Sequence, residues 1–171
     1  MADTLINRVA NSGIITLNLE DHFPEKEIAT FDLKDYLFME MILKEKDFRS
    51  ALKTLDWTAY DGKIVVVHCS VDAIIPMWAY MLVGSYLEGV ADTTYQGTAS
   101  EYLAQHYTGV IDGLAIGQYT DKMIVIKGCG EKPVPPQAYL ALTQRLKSVA
   151  KSIMYGEPCS TVPIYKKPKN R

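Results

Sequence analysis

Lys63-Ile64-Val65-Val66-Val67-His68-Cys69 is a continuous β-branched run behind the turn signal Asp61-Gly62. A strand with one wet face alternates apolar and polar side chains. A run without alternation belongs to a strand covered on both faces, as in a parallel sheet. Downstream, Pro76 to Leu87 reads as a helix with proline in its first turn. Its side chains are apolar nearly all round, which predicts burial. Met123-Ile124-Val125-Ile126-Lys127-Gly128 reads as a second covered strand. The last helix is expected from about Pro136 to Tyr155, with Gly156 just past its end.

The flanks are weaker. Residues 13–19 (GIITLNL) alternate as an edge strand, and EDHFPEKE after them is turn-like, broken by Pro24. A helix is expected from Phe31, capped by Asp32, with Leu33, Leu37 and Met41 on one face. A second has Phe48, Leu52 and Leu55 on its face and Asp47 as N-cap. A short strand at Thr93 to Tyr95 and a helix from Ser100 to about Tyr107 complete the pass. No internal repeat is evident. Strands alternating with helices predict an α/β fold. The expected form is a small three-layer domain with a mainly parallel or mixed sheet of about four strands. An N-terminal strand and helical arm are added to it. Residues 1–165 are expected to form a single domain and 166–171 a basic C-terminal tail.

The 171 residues suit one domain, and 48% hydrophobic content supports a sizeable core. A net charge of -2 gives no electrostatic case for nucleic acid. Basic residues do gather late, at Arg145, Lys147, Lys151, Lys166, Lys167, Lys169 and Arg171. They read as a solvated helix face and a tail. The start, MADTLINRVANSG, has no basic leader and apolar core. The longest nearly apolar stretch, Ala73 to Gly84, contains Pro76 and falls short of the roughly 20 residues a membrane helix needs. A cytoplasmic protein without membrane contact is expected. The tyrosine-rich composition and apolar helix at 76–87 predict a homodimer.

Several motifs fail. Gly128-Cys129-Gly130 lacks the third glycine of a dinucleotide loop and the Gly-Lys-Ser/Thr of a P-loop, so no nucleotide is expected. Gly84-Ser85 is outside a G-x-S-x-G elbow. His22 and His106 have no ligand-spaced neighbour.

Three cysteines remain, too few for a disulfide framework. Cys69 ends one covered strand and Cys129 follows the other, each ahead of a helix. Ligands of open α/β sheets bind beyond the carboxyl ends of strands, and a helix N-terminus favours a thiolate. Glycines on both sides of Cys129 allow close approach of another group. Buried cysteine is also a common core filler. Cys159, in Glu157-Pro158-Cys159-Ser160, is harder to place. A last helix of about 20 residues spans roughly 30 Å and would carry it to the opposite edge of a parallel sheet. His68 and Cys69 share a site only if strand pairing has ended there.

The segments ILKEKDFRSALK, DWTAYDGK, CSVDAIIPMWAYML, KGCG and SIMYGEPCSTVPIYK resemble an uncharacterised bacterial family, domain-of-unknown-function family 2480. The likeness covers nearly the whole chain. It implies Cys69, Cys129 and Cys159 at the family's cysteine positions, with Ser70 and Asp72 beside the first and no fixed histidine at His68. It implies an association with iron–sulfur cluster assembly, and so a partner there. Three readings follow. Cys69, Cys129 and Cys159 bind zinc or an iron–sulfur centre, with Asp72 or His68 as fourth ligand. Alternatively Cys69 is the nucleophile of an enzyme acting on a small molecule. In the third reading the cysteines are packing residues of an interaction module.

Overall fold

The computed structural model describes residues 13–128, 130–157 and 159–168. The chain forms two compact units. One combines the stretch ending at Phe23 with Leu103 onward, and the other is Pro24–Tyr102. The architecture is mixed α/β and mainly parallel, with four α-helices and two sheets among the described residues.

The second unit is built on the KIVVVHC run. Strand β3 (Ile64–His68) lies between β2 (Ile28–Asp32) and β4 (Thr93–Gln96), parallel to both. Ile64 to Val67 are all buried, as a strand covered on both faces requires. Helix α1 (Glu45–Thr54) contributes Phe48 and Leu52, and α2 (Met77–Leu87) contributes Ala79, Val83 and Leu87 at a spacing of four. Each of these larger buried side chains contributes about 1.5–3 kcal/mol. Trp57 stacks between Phe31 and Tyr86 and donates its indole N–H to the Leu52 carbonyl at 2.9 Å.

Two expectations are corrected in this unit. Phe31 does not open a helix. It lies in β2, paired with Val67, and Asp32 caps only a 3-10 turn, Leu33–Tyr36. Three residues at a spacing of four are a weak helical signal, and pairing with the central strand overrides it. Helix α2 is also not buried all round: Met77 is 70% and Met81 74% exposed.

In the first unit β5 (Met123–Lys127) lies between β1 (Ile14–Asn18) and β6 (Ser152–Glu157), parallel to both, with β1 at an edge as expected. Strand β7 (Ser160–Lys166) adds antiparallel to β6. Helix α3 (Ala99–Gly113) supplies Leu103, Tyr107 and Ile111 to the core. Helix α4 (Pro136–Lys147) supplies Ala138, Leu142 and Leu146. The expected long last helix is corrected here. It ends at Lys147, where the N–H groups of Val149 and Ala150 close onto the Leu146 carbonyl. The chain then returns as β6, and fully buried Ile153 pairs with Ile124.

The two units repeat each other, which corrects the reading of no internal repeat. Adding 59 to a residue number maps β3 onto β5 and the 3-10 turn Trp57–Tyr60 onto Ile116–Tyr119. It also carries Tyr60, Lys63, Val66, Pro76, Ala79, Tyr80, Leu87, Val90, Ala91 and Gly97 onto identical residues. Adding 14 maps β1 with its 3-10 turn Leu19–His22 onto β2 with Leu33–Tyr36. Strand registers are the same under this mapping: Asp32 pairs with His68, and Asn18 with Lys127. Loop bonds match as well. Gly62 N–H donates to the Val90 carbonyl and Asp121 N–H to the Val149 carbonyl, both at 2.9 Å. One core difference brings in a polar group: Phe48 corresponds to Tyr107. Burial, then the charge of Glu20, pushes the Tyr107 phenol up to about 12, and it donates to the Leu19 carbonyl at 2.9 Å.

Candidate functional site

At the carboxyl edge of the second unit's sheet, pairing of β3 ends at Val67 on the β4 side and at His68 on the β2 side. Cys69 follows immediately, so the alternation that would separate it from His68 no longer applies. Both residues line a cleft of about 420 Å³, together with Asp72, Tyr80, Gln96, Thr98 and Glu101. This is where ligands bind in open parallel sheets.

Each polar group has a local reason for its place. The Asp32 carboxylate accepts N–H bonds from Lys34 and Ser70, both at 3.0 Å. Burial pushes the Asp32 carboxyl up. The Ser70 and Lys34 hydrogen bonds and the charge of His68 outweigh this and hold it below its ordinary value. Thr98 and Glu101 form a capping box at the start of α3. Glu101 accepts from the Thr98 N–H at 2.7 Å and from its hydroxyl at 2.9 Å, and these bonds lower its carboxyl, with His68 assisting. Gly97 is required before that box. At its φ of +137° a Cβ would stand 2.8 Å from the Tyr95 ring and 2.9 Å from the Glu101 carboxylate. The Tyr80 phenol is raised by burial and then by the charge of Cys69, against a hydrogen bond from Gln96.

Of the three cysteines, the structure describes Cys69 and Cys159. Cys69, half-buried, packs against the second unit's core. Asp72 and His68 join it on the cleft, and Ser70 binds Asp32. Cys159 is exposed in the turn between β6 and β7, in the first unit. Because β6 runs parallel to β5, Cys159 lies past the edge where β5 also ends, not at the opposite one. Cys129 lies outside the described residues. Among the described residues no three His, Cys, Asp or Glu side chains group as metal ligands. Nor, among them, is any helix long and apolar enough to cross a membrane.

The equivalent edge of the first unit is tied to itself. Lys127, at the position of His68, pairs with Glu157, at the position of Thr98, at 2.9 Å. Its ammonium is raised by that hydrogen bond and charge. Tyr139, at the position of Tyr80, donates to the Gly128 carbonyl. Gly130 donates its N–H to the Glu20 carboxylate, and Lys132 reaches the Glu20 carbonyl at 3.3 Å. The two glycines beside Cys129 therefore have a local cause. A Cβ on Gly128 would collide with the Tyr139 hydroxyl, and one on Gly130 with the Glu20 carboxylate.

Sequence reasoning missed Asp32, Tyr80, Gln96 and Glu101 as site residues. The signal that reaches them is the internal repeat, which aligns Tyr80 with Tyr139, and Gly97-Thr98 followed by Glu101, which marks a capped helix beyond a strand. Comparison with curated proteins finds no match, and neither does comparison with solved structures. The family model described as "Protein of unknown function (DUF2480)" matches residues 3–167, nearly the whole chain, and the chain belongs to that family.

Proposed function

We propose that the carboxyl edge of the β2-β3-β4 sheet is a small-molecule site whose reacting atom is the Cys69 sulfur. The observation that carries this reading is the contrast between the two edges. The same backbone plan supports a polar cleft of strand-end residues around Cys69 in one unit and, in the other, internal ties beside an apolar cleft of about 400 Å³ lined by Ile126, Tyr139 and Tyr155. His68 is the base, as the imidazole among the cleft's lining residues. In attack on a carbonyl carbon, the S–C bond forms as the carbonyl π pair moves to oxygen and the thiol proton passes to His68.

The alternative is the zinc or iron–sulfur centre held by Cys69, Cys129 and Cys159 with Asp72, serving a partner in cluster assembly. Its support is the presence of Cys69 and Asp72 on one cleft. Elemental analysis of protein purified with and without oxygen separates the readings, since a centre brings about one metal ion or cluster per chain.

The direct test exposes the protein to a panel of small chloroacetamides and measures intact mass, followed by peptide mapping. A shaped site gives single adducts at Cys69 with a few members of the panel, and Cys69→Ser abolishes them. Equal labelling of every exposed thiol by every member of the panel would overturn the reading.

A further inference from the structure

We propose that the open edge of strand β4 is a self-pairing surface. A second copy of the chain lays its own β4 antiparallel against this one, and two three-stranded sheets become one continuous sheet across a two-fold axis. This surface builds the homodimer whatever the chemistry at Cys69.

The repeat points to this edge. Strands β4 and β6 hold the same place beside their central strands, with Thr93 to Gln96 equivalent to Ser152 to Tyr155. In the first unit β7 covers the outer edge of β6, antiparallel to it. In the second unit no described strand lies beyond β4. Thr93 and Gly97 donate their N–H groups to the carbonyls of Lys63 and Val67, on the β3 side. Alternation turns the backbone groups of Thr94 and Gln96 to the open edge, and both residues are exposed. The outer strands are also guarded differently. Strand β7 carries Pro163, Lys166 and a register shift opposite Ile153 and Met154, features that keep an edge from pairing with another chain. Strand β4 reads Thr93-Thr94-Tyr95-Gln96, without proline, charge or bulge.

A second copy fits because the edge is complementary to itself. Thr94 of one copy pairs with Gln96 of the other, and the reverse, each couple exchanging two hydrogen bonds. Tyr95, set edge-on against Tyr102, meets its own copy on the two-fold axis, where a cross-strand aromatic pair stabilises a sheet. Antiparallel pairing brings opposite ends of β4 together. One end holds Lys26, ion-paired with Asp92, and the other holds the Glu101 carboxylate at the rim of the Cys69 cleft. A cation of one copy therefore meets a carboxylate of the other. Helix α2 packs beside β4 and adds exposed Met81. Met81 holds the place of Leu140, which lines one cleft with Ile164 of β7. An added strand finds the same apolar seat, on an adaptable side chain.

Sedimentation equilibrium of the full chain at micromolar concentration reads the association, with far-ultraviolet circular dichroism confirming the fold. The unaltered chain is expected to be a dimer. Thr94→Pro removes a donor that points away from β3, a place where an edge strand tolerates proline. It is expected to weaken the dimer by about tenfold or more. Thr94→Lys keeps every N–H and puts a charge on the edge, and is expected to weaken the dimer in the same direction. Val162→Lys, on β7 of the first unit, is expected to leave the dissociation constant unchanged. A monomer throughout this range overturns the proposal. A dimer whose dissociation constant is unchanged in folded Thr94→Lys also overturns it, since that dimer forms through another surface.

Discussion

Lys127 and Glu157 lock together at the carboxyl edge of one sheet, while their counterparts His68 and Thr98 line an open cleft on the other. The two sheets share strand registers, loop bonds and the spacing of buried residues on α2 and α4. The frame therefore does not decide where chemistry sits. A few side chains at strand ends do. In the first unit, Lys127, Glu20 and Tyr139 satisfy one another or the backbone. In the second, His68 and Cys69 line a polar cleft, whereas the first unit's cleft, lined by Ile126, Tyr139 and Tyr155, is apolar. This is the usual division in α/β proteins, with the scaffold conserved in shape and function carried by the loops.

The largest expected effect tests whether the two units melt together. Leu52 and Ile111 are equivalent and fully buried. Truncating either to alanine should cost about 2–5 kcal/mol. Because the first unit is made of the two ends of the chain and the second of its middle, we propose one cooperative domain. Each variant should then lower the midpoint of one shared urea transition. Two separable transitions, each answering to one variant, would break the comparison into independent domains.

A smaller effect separates the two strand ends. Gly128→Ala puts a Cβ where the Tyr139 hydroxyl lies and should cost about 1–3 kcal/mol. Cys69→Ala at the equivalent position removes a half-buried side chain and should stay within about 1 kcal/mol. Equal costs, measured by urea denaturation, would mean that the two edges are not built differently.

The pH dependence sharpens the contrast further. A lowered carboxyl such as Asp32 or Glu101 stabilises the fold above its unfolded value, and that contribution is lost as pH falls through the folded value. A raised ammonium such as Lys127 contributes fully below the ordinary value of 10.5 and loses the contribution as pH rises through the folded value. Asp32→Asn should therefore flatten the acid limb of the stability curve, and Lys127→Met the alkaline limb. An acid limb unchanged in Asp32→Asn would remove that carboxylate from the account. For assembly, exposed Met39, Met41, Met77 and Met81 on the second unit support the proposed homodimer. Light scattering at micromolar concentration should return twice the chain mass, and a monomer there would remove the dimer.

The central strands were legible because Ile64–Val67 and Met123–Ile126 are unbroken apolar runs between turn signals. Strand β6 was not. Leu142, Leu146, Val149 and Ile153 continue a helical spacing without an intervening glycine or proline, and only pairing with β5 shows where the helix stops. Strand β2 was hidden by the cap signal at Asp32, which serves a 3-10 turn. The repeat was hidden because many matched positions are similar rather than identical, as in Val67 and Ile126 or Met81 and Leu140. Its first strands also follow a different offset from the rest. Cys69 and Asp72 could be singled out from sequence as residues just past a strand. Asp32, Tyr80 and Glu101 could not, since only the sheet brings them beside Cys69.

The most direct measurement of the central claim compares Cys69 with Cys159 in one sample. Cys159 is exposed and Cys69 half-buried, so access alone favours Cys159. Time-resolved iodoacetamide labelling at neutral pH, quantified by peptide mapping, gives the ratio of their rates. An activated Cys69 reacts at least several-fold faster than Cys159 despite its burial. A Cys69 that reacts more slowly, in proportion to its lower exposure, would contradict the assignment of the chemistry to the second unit's edge.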